Sequence, residues 1–230
     1  MLPILLVPGL VCTAEVFAPQ IPVLWSFGPV TIANTLEGDS MAAIAANILA
    51  TAPPHFALGG ISMGGYLCFE ILRQAPERVV KLALLDTSAR PDLPEQSERR
   101  RGLVVRARAG EYETMLNELF PGLVHPDHKD DAALQALNIR MSFAIGVEGF
   151  ARQQEAIINR PDSRPRLSWI TQKTLVLVGD ADMLTPPELA REMAAGIPTS
   201  RLVVVPDSGH MSTWEQADRV NAALVEWLQE

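Results

Sequence analysis

An α/β fold, a mostly parallel sheet of about six strands flanked by helices, follows from three features of the sequence. Short apolar runs rich in branched residues recur along the chain. Each ends in a Gly, Pro or Asp turn, and most lead into a segment whose apolar residues repeat at helical spacing. Parallel strands and their crossover helices read this way because a strand covered on both faces has no polar side. The 230 residues suffice for one full-sized core carrying an insertion, not for two independent domains.

Six runs qualify as strands: PILLV (3–7), PVTIA (29–33), FALGGI (56–61), VVKLALLD (79–86), TLVLVGD (174–180) and SRLVVVP (200–206). Helices are predicted over 40–51 with Ser40 as N-cap, over 64–74 ended by Pro76, over 187–195 ended by Gly196, and over 213–229. The rhythm breaks between residues 91 and 169. That segment has no convincing strand and reads as four helices, 95–109, 111–119, 128–145 and 147–159, with Pro121, Pro126, Pro161 and Pro165 as breakers. It also holds eleven of the nineteen Lys and Arg residues, a shift in charge that marks it off from the rest. Residues 1–90 and 170–230 are therefore expected to form the core, and 91–169 an all-helical cap inserted between the fourth and fifth strands and packed over the sheet edge.

Charge and composition narrow the function. A formal net charge of −8 offers no basic field for nucleic acid or an anionic membrane. The run Arg99-Arg100-Arg101 is set among Asp92, Glu95, Glu98 and Glu111 and reads as a solvated helix face. The apolar start MLPILLVPGLV lacks a basic leader and meets Pro8-Gly9 too soon to span a membrane, so it is expected to be a buried strand in a cytoplasmic protein. Cys12 and Cys68 are too few for a disulfide framework, lack metal-ligand spacing and are read as free thiols.

The chemistry starts at Gly60-Ile61-Ser62-Met63-Gly64-Gly65, where the third strand gives way to a helix. A nucleophilic serine needs an exposed Oγ, a base for its proton, and donors for the oxyanion formed on attack. A sharp strand-to-helix turn supplies the first, and small residues two before and two after the serine relieve its crowding. The helix that follows directs its free amides and dipole at the site.

Four histidines are available as the base. His55 precedes a core strand, and His125 and His128 flank Pro126 in the insertion, where they are expected to face solvent. His210 lies in VVVPDSGHMSTWE, in a glycine-marked loop just past the sixth strand, where parallel sheets place their chemistry. For an acid to orient that imidazole, GDADMLTPPE offers Asp180 and Asp182, which alternation points the same way, and Asp86 ends the fourth strand. Spacing alone does not choose among the three.

These residues together resemble the α/β-hydrolase superfamily, whose members carry nucleophile, acid and histidine in the chain order of Ser62, Asp182 and His210. The resemblance covers 2–88 and 174–230, with the helical segment where the family inserts its cap. GDADMLTPPE is similar to the family's Gly-x-x-Asp-x-x-x-Pro loop, which implies Asp182 as the acid and Asp180 as support. The Gly-His loop, the glutamate after it and the closing helix match too. The family implies an oxyanion hole from the amide after the nucleophile, here Met63, and from the loop after the first strand, here Leu10. At that loop the sequence has Pro8-Gly9-Leu10 in place of the family's His-Gly pair, and the chain begins at that strand without the antiparallel hairpin that usually opens the fold.

The implied function is a serine hydrolase cleaving a carboxylic ester, lactone or thioester of a small, partly apolar substrate through an acyl-enzyme, with no metal or organic cofactor. The same triad also serves carbon–carbon bond hydrolysis or lyase-like reactions, and a ligand-sensing protein with little turnover is the reading from another class. Met115, Leu119, Phe120, Met141, Phe143, Ile145 and Phe150 are candidates for a substrate pocket, and Arg140 and Arg152 for contact with a substrate carboxylate. The partner expected is a small molecule, with no nucleic acid and no membrane; monomer and homodimer are both compatible with the sequence.

Overall fold

The computed structural model describes residues 1–230. Strands β1 (Ile4–Val7), β2 (Val30–Ile32), β3 (Phe56–Ile61), β4 (Val79–Leu85), β5 (Lys173–Gly179) and β6 (Ser200–Val205) form one sheet in the order β2-β1-β3-β4-β5-β6. Every neighbouring pair is parallel, as the alternation of apolar runs and helical segments predicts. Asp86, Asp180 and Pro206 lie just past the strands that the sequence assigned them to.

Successive side chains of each strand enter opposite layers. Leu5, Val7, Leu58, Leu82, Leu84, Val176 and Val178 pack with one set of helices, and Ile4, Leu6, Ala57, Ala83, Leu85, Leu175 and Leu177 with the other. The first layer is closed by α2 (Met41–Thr51), α3 (Met63–Gln74) and α7 (Pro187–Gly196), and the second by α1 (Ile21–Leu24) and α9 (Ala217–Gln229). Ser40 caps α2, its hydroxyl accepting the Ala43 amide at 3.2 Å.

The chain leaves β1 for β2 on one side and then crosses back to β3 on the other. The strand order thus reverses at β1, and the loops leaving β1 and β3 diverge around a crevice at their carboxyl ends. Pro8-Gly9-Leu10 and Ser62 occupy that crevice.

Between β4 and β5 lie α4 (Pro94–Arg106), α5 (Tyr112–Leu119) and α6 (Ala132–Ile158), with a π-helical turn at Ala107–Glu111. α6 consists of two helical halves broken at Gly146, with φ 73° and ψ 171°, where the sequence separates helices over 128–145 and 147–159. The first half starts later than 128 because Asp131 caps it, accepting the amides of Ala133 and Leu134. The predicted helix 213–229 is also two pieces. α8 (Ser212–Glu215) ends at Gln216, which leaves the helical region at φ −132° and ψ 50° before α9 begins, and that break lets Glu215 face the loop before it. No helix is long and apolar enough to cross a membrane.

Candidate active site

Ser62 sits between β3 and α3 at φ 55° and ψ −117°, a conformation that non-glycine residues avoid. Its backbone is pinned on both sides. The Ser62 amide donates to Leu85 O at 3.0 Å, and its carbonyl accepts from Gly65 N at 2.9 Å and Thr87 Oγ1 at 2.7 Å. The glycines follow from crowding: a Cβ on Gly64 would collide with the Val7 carbonyl, and one on Gly60 would stand 2.6 Å from Cys68 Sγ. The turn closes only with side chains absent there, and it leaves Ser62 partly exposed while its flanks are buried.

His210 is buried with its ring against Ser62: Nε2 lies 2.8 Å from Ser62 Oγ and Nδ1 lies 2.7 Å from Asp182 Oδ2. A carboxylate only accepts hydrogen bonds, so Nδ1 carries a proton and donates it to Asp182. Nε2 then has the free lone pair that accepts from Ser62 Oγ. The structure thus brings together Ser62, Asp182 and His210.

Asp182 is held by four donors. Oδ1 accepts the amides of Leu184 and Thr185 at 2.8 and 2.9 Å, and Oδ2 accepts Thr185 Oγ1 at 2.8 Å besides His210. Burial by itself raises the Asp182 pKa, but the His210 charge and these bonds outweigh it and hold the carboxyl at about 2. His210 answers in kind: desolvation pulls its pKa down, the charge and hydrogen bond of Asp182 push it up, and the balance lies above the ordinary imidazole value.

Asp180 differs. It is exposed, and its carboxylate accepts the Ser208 amide at 3.2 Å. Alternation failed to separate the two aspartates because both lie beyond Gly179, where strand geometry has ended. Thr185 was the missed signal: an aspartate three residues before a threonine forms a turn around its own carboxylate, which marks Asp182 as the oriented member.

Asp86 lies behind this group, fully buried at φ 44°. It accepts Gly179 N at 3.0 Å and Ser212 Oγ at 2.5 Å. Burial, reinforced by the nearby Asp182 charge, pushes its pKa up to about 8. Asp86 ties β4, β5 and α8 together, and no bond joins it to His210.

The loop carrying His210 is clamped from the insertion. The amides of His210 and Met211 both donate to Leu123 O, at 2.9 and 3.1 Å. The Glu215 side chain is inaccessible to solvent and accepts Gly209 N at 2.8 Å and His125 N at 2.6 Å, with His128 Nδ1 2.9 Å away. His125 and His128, which the sequence leads one to expect facing solvent, are only partly exposed, because Glu215 draws this segment down onto the His210 loop. Sequence reasoning noticed the glutamate only as part of a resemblance and gave it no role.

On the other side of Ser62, a Cβ on Gly9 would stand 3.3 Å from Ser62 Cβ, so the loop after β1 lies directly against the serine. Leu10 N has no acceptor in the protein, and Met63 N is the first amide of α3, one of those that a helix leaves unpartnered.

The pocket residues fare differently. Met115, Phe120, Met141 and Phe150 are buried in packed clusters, Leu119 and Ile145 pack at the edge of one of them, and Phe143 is half exposed. Arg140 is paired with Glu15 at 2.6 Å, and Arg152 lies exposed on the surface. A cavity of about 620 Å³ runs along α3 past Tyr66, Arg73, Arg166 and Trp169, and none of Ser62, Asp182 and His210 lines it. No group of three or more His, Cys, Asp or Glu side chains is placed to hold a metal ion.

Comparison with known proteins fits this arrangement. A family model described as alpha/beta hydrolase fold matches residues 25–217. An esterase from Thermogutta terrifontis, solved with malate bound, superposes with a TM-score of 0.90 at 33% identity, covering 100% of this chain and 90% of that one. The enol-lactonase of Burkholderia xenovorans LB400 gives 0.88 at 25% identity, covering 99% and 91%. A 2-hydroxy-6-oxononadienedioate/2-hydroxy-6-oxononatrienedioate hydrolase of Escherichia coli K12 is 30% identical over 176 residues, 74% of this chain. The match spans 60% of that relative's length. The strained strand-to-helix turn at Ser62, the parallel sheet that carries it and the extent of the family match lead to one assignment: the chain belongs to the α/β-hydrolase fold family.

Proposed function

We propose that this protein is a serine hydrolase that cleaves an ester-type bond of a small molecule, a carboxylic ester, lactone or thioester, through an acyl-enzyme on Ser62. The observation that carries the reading is the continuous path from Ser62 Oγ to His210 Nε2 at 2.8 Å and from His210 Nδ1 to Asp182 at 2.7 Å. Ser62 Oγ attacks the carbonyl carbon while its proton passes to His210 Nε2, and the carbonyl π pair moves onto oxygen. The amides of Leu10 and Met63 stabilise that oxyanion, helped by the N-terminus of α3. When the intermediate collapses, His210 gives its proton to the leaving oxygen or sulfur. Water then repeats the sequence on the acyl-enzyme, losing a proton to His210 and releasing the acid and free Ser62. Asp182 stays ionised throughout, stabilising the imidazolium without taking its proton. No cofactor enters this proposal, and the only partner it requires is the small-molecule substrate.

A second reading, hydrolysis of a carbon–carbon bond next to a ketone by the same three residues, is favoured by the relative named for an oxo-dienedioate. A panel of p-nitrophenyl esters, lactones and a vinylogous 1,5-diketone separates the two. Turnover of the esters with a burst of nitrophenol equal to the enzyme present supports the first reading, and turnover of the diketone alone supports the second. Covalent labelling by a fluorophosphonate, lost in Ser62→Ala, is expected under both; wild-type protein that does not label overturns them together.

A further inference from the structure

The loop after β1 holds a second strained residue. Val11 takes φ 52°, a left-handed value that a β-branched side chain avoids. The Cys12 amide donates to Gly9 O at 3.2 Å, so residues 9–12 form a turn with Val11 in its third position. A positive φ there belongs to the turn type that favours glycine, and in the commoner alternative the peptide between Leu10 and Val11 is flipped over. A valine left to itself would favour the flipped form. Here the Val11 amide is tied instead to Gln153 Oε1 at 2.9 Å, a buried bond between residues 142 apart in sequence. Gln153 is itself 1% exposed, and its Nε2 donates to Thr35 Oγ1 at 3.1 Å. One amide from α6 therefore fastens the loop after β1 to the loop after β2. Val11 also packs with Phe150, Met115 and Tyr112 of the insertion, with Leu10 at the edge of that cluster.

We propose that Gln153 is a positioning residue: by holding Val11 at its left-handed φ, it keeps the turn of residues 9–12 seated against Ser62, and with it the Leu10 amide in place for the oxyanion formed there. The proposal rests on the serine-hydrolase reading above and deepens it, since it makes the insertion part of the oxyanion hole's support. Gln153 touches no reacting atom; it acts through Val11 and Leu10. Without its carbonyl the Val11 amide is buried and unpartnered, and the turn relaxes and shifts Leu10 from its seat against Ser62.

The test is steady-state hydrolysis of p-nitrophenyl acetate by Gln153→Leu, Gln153→Glu and the double variant Val11→Gly with Gln153→Leu, each first checked for a cooperative thermal unfolding transition. Gln153→Leu is expected to lower kcat by about 10- to 100-fold, the scale of a misaimed donor, with KM changed less than about threefold. Its affinity for a boronic acid that mimics the tetrahedral state falls in parallel. Gln153→Glu keeps an acceptor for the Val11 amide and recovers most of kcat. Glycine adopts positive φ freely, so adding Val11→Gly to Gln153→Leu restores at least about threefold. A folded Gln153→Leu with wild-type kcat overturns the proposal, and so does a kcat loss that neither Gln153→Glu nor Val11→Gly relieves. If Gln153→Leu does not fold, Gln153→Glu and the double variant decide the matter by the same criteria. A wild-type protein that neither hydrolyses esters nor labels at Ser62 overturns the serine-hydrolase reading instead, so the two failures are distinguishable.

Discussion

The carboxyl edge of the sheet and the helical insertion are held together by different physics. At the edge, Ser62, Asp86 and Val11 keep backbone angles that cost on the order of 1–3 kcal/mol each, and buried hydrogen bonds hold them there. Much of the insertion is laced by ion pairs between exposed groups: Arg106 with Glu111 and Glu118, Arg108 with Glu148, and Arg140 with Glu15. Such pairs add little to stability and are screened by salt. The lesson is that the edge tolerates almost no change at a few positions, whereas the insertion can vary widely over its surface. The exceptions within the insertion include the buried Asp92–Arg160 pair and the points where it reaches the edge: Leu123 O, the His125 and His128 segment, and Gln153.

The largest effect expected lies at the edge. Asp182→Asn, with its four donors facing an amide, no longer selects the His210 tautomer that frees Nε2, and kcat falls about 10⁴-fold. The pH profile sharpens this. In the proposed mechanism His210 works as a base only when neutral, and its pKa is raised, so kcat/KM is expected to fall as pH drops through a value above 6.5. Asp182, held at about 2, does not titrate in that range. Residual activity of Asp182→Asn is expected to show its acid limb at lower pH, because the imidazolium loses its counter-charge. An unmoved limb assigns it to another group.

Next comes the junction between the regions. Glu215→Gln weakens the charge-assisted bonds to Gly209 and His125, costing roughly 1–3 kcal/mol of stability, measurable by urea unfolding. The His210 loop loosens with it and kcat falls about tenfold. A stable, fully active variant would break the view of Glu215 as the clamp between insertion and catalytic loop.

Asp86→Asn is a smaller test within the edge. A carboxyl whose pKa rises on folding stabilises the protein fully below its unfolded value and loses that contribution as pH climbs through the folded one. For Asp86 the window runs from about 4 to about 8. An asparagine can accept from Gly179 and donate to Ser212 without this titration, so the melting temperature of the variant should fall less than wild type between pH 5 and pH 8. Parallel curves would place the acid's influence elsewhere. The smallest effect belongs to the insertion surface: Arg108→Ala, which breaks the exposed pair with Glu148, is expected to leave both melting temperature and kcat nearly unchanged, and a large loss would collapse the contrast between the regions.

What the chain states locally was readable before the structure. Period and turn residues marked six strands and most helices, because strand and helix each write their repeat into neighbouring positions. Ser40 named itself as a cap, and the crowding at Gly60 and Gly64 is a local demand of one sharp turn. Even the choice of acid had a local trace in Thr185. The break at Gly146 falls where the sequence puts it, whereas the start at Asp131 and the break at Gln216 do not, because element ends depend on capping partners such as Asp131 as much as on period.

The rest was decided only when distant segments met. His125 and His128 look like surface residues until Glu215, some ninety positions away, draws them inward. Asp86 reads as a third candidate acid, yet the packed sheet gives it to Gly179 and Ser212. Nothing in Pro8-Gly9-Leu10-Val11 shows that the turn is strained or that Gln153 holds it. The sequence by itself determined the sheet, the strand-to-helix turn at Ser62 and the order of serine, aspartate and histidine, since these rest on short-range pattern. The tertiary structure alone decided which buried groups orient them, because a hydrogen bond between residues 142 apart leaves no periodic mark on the chain.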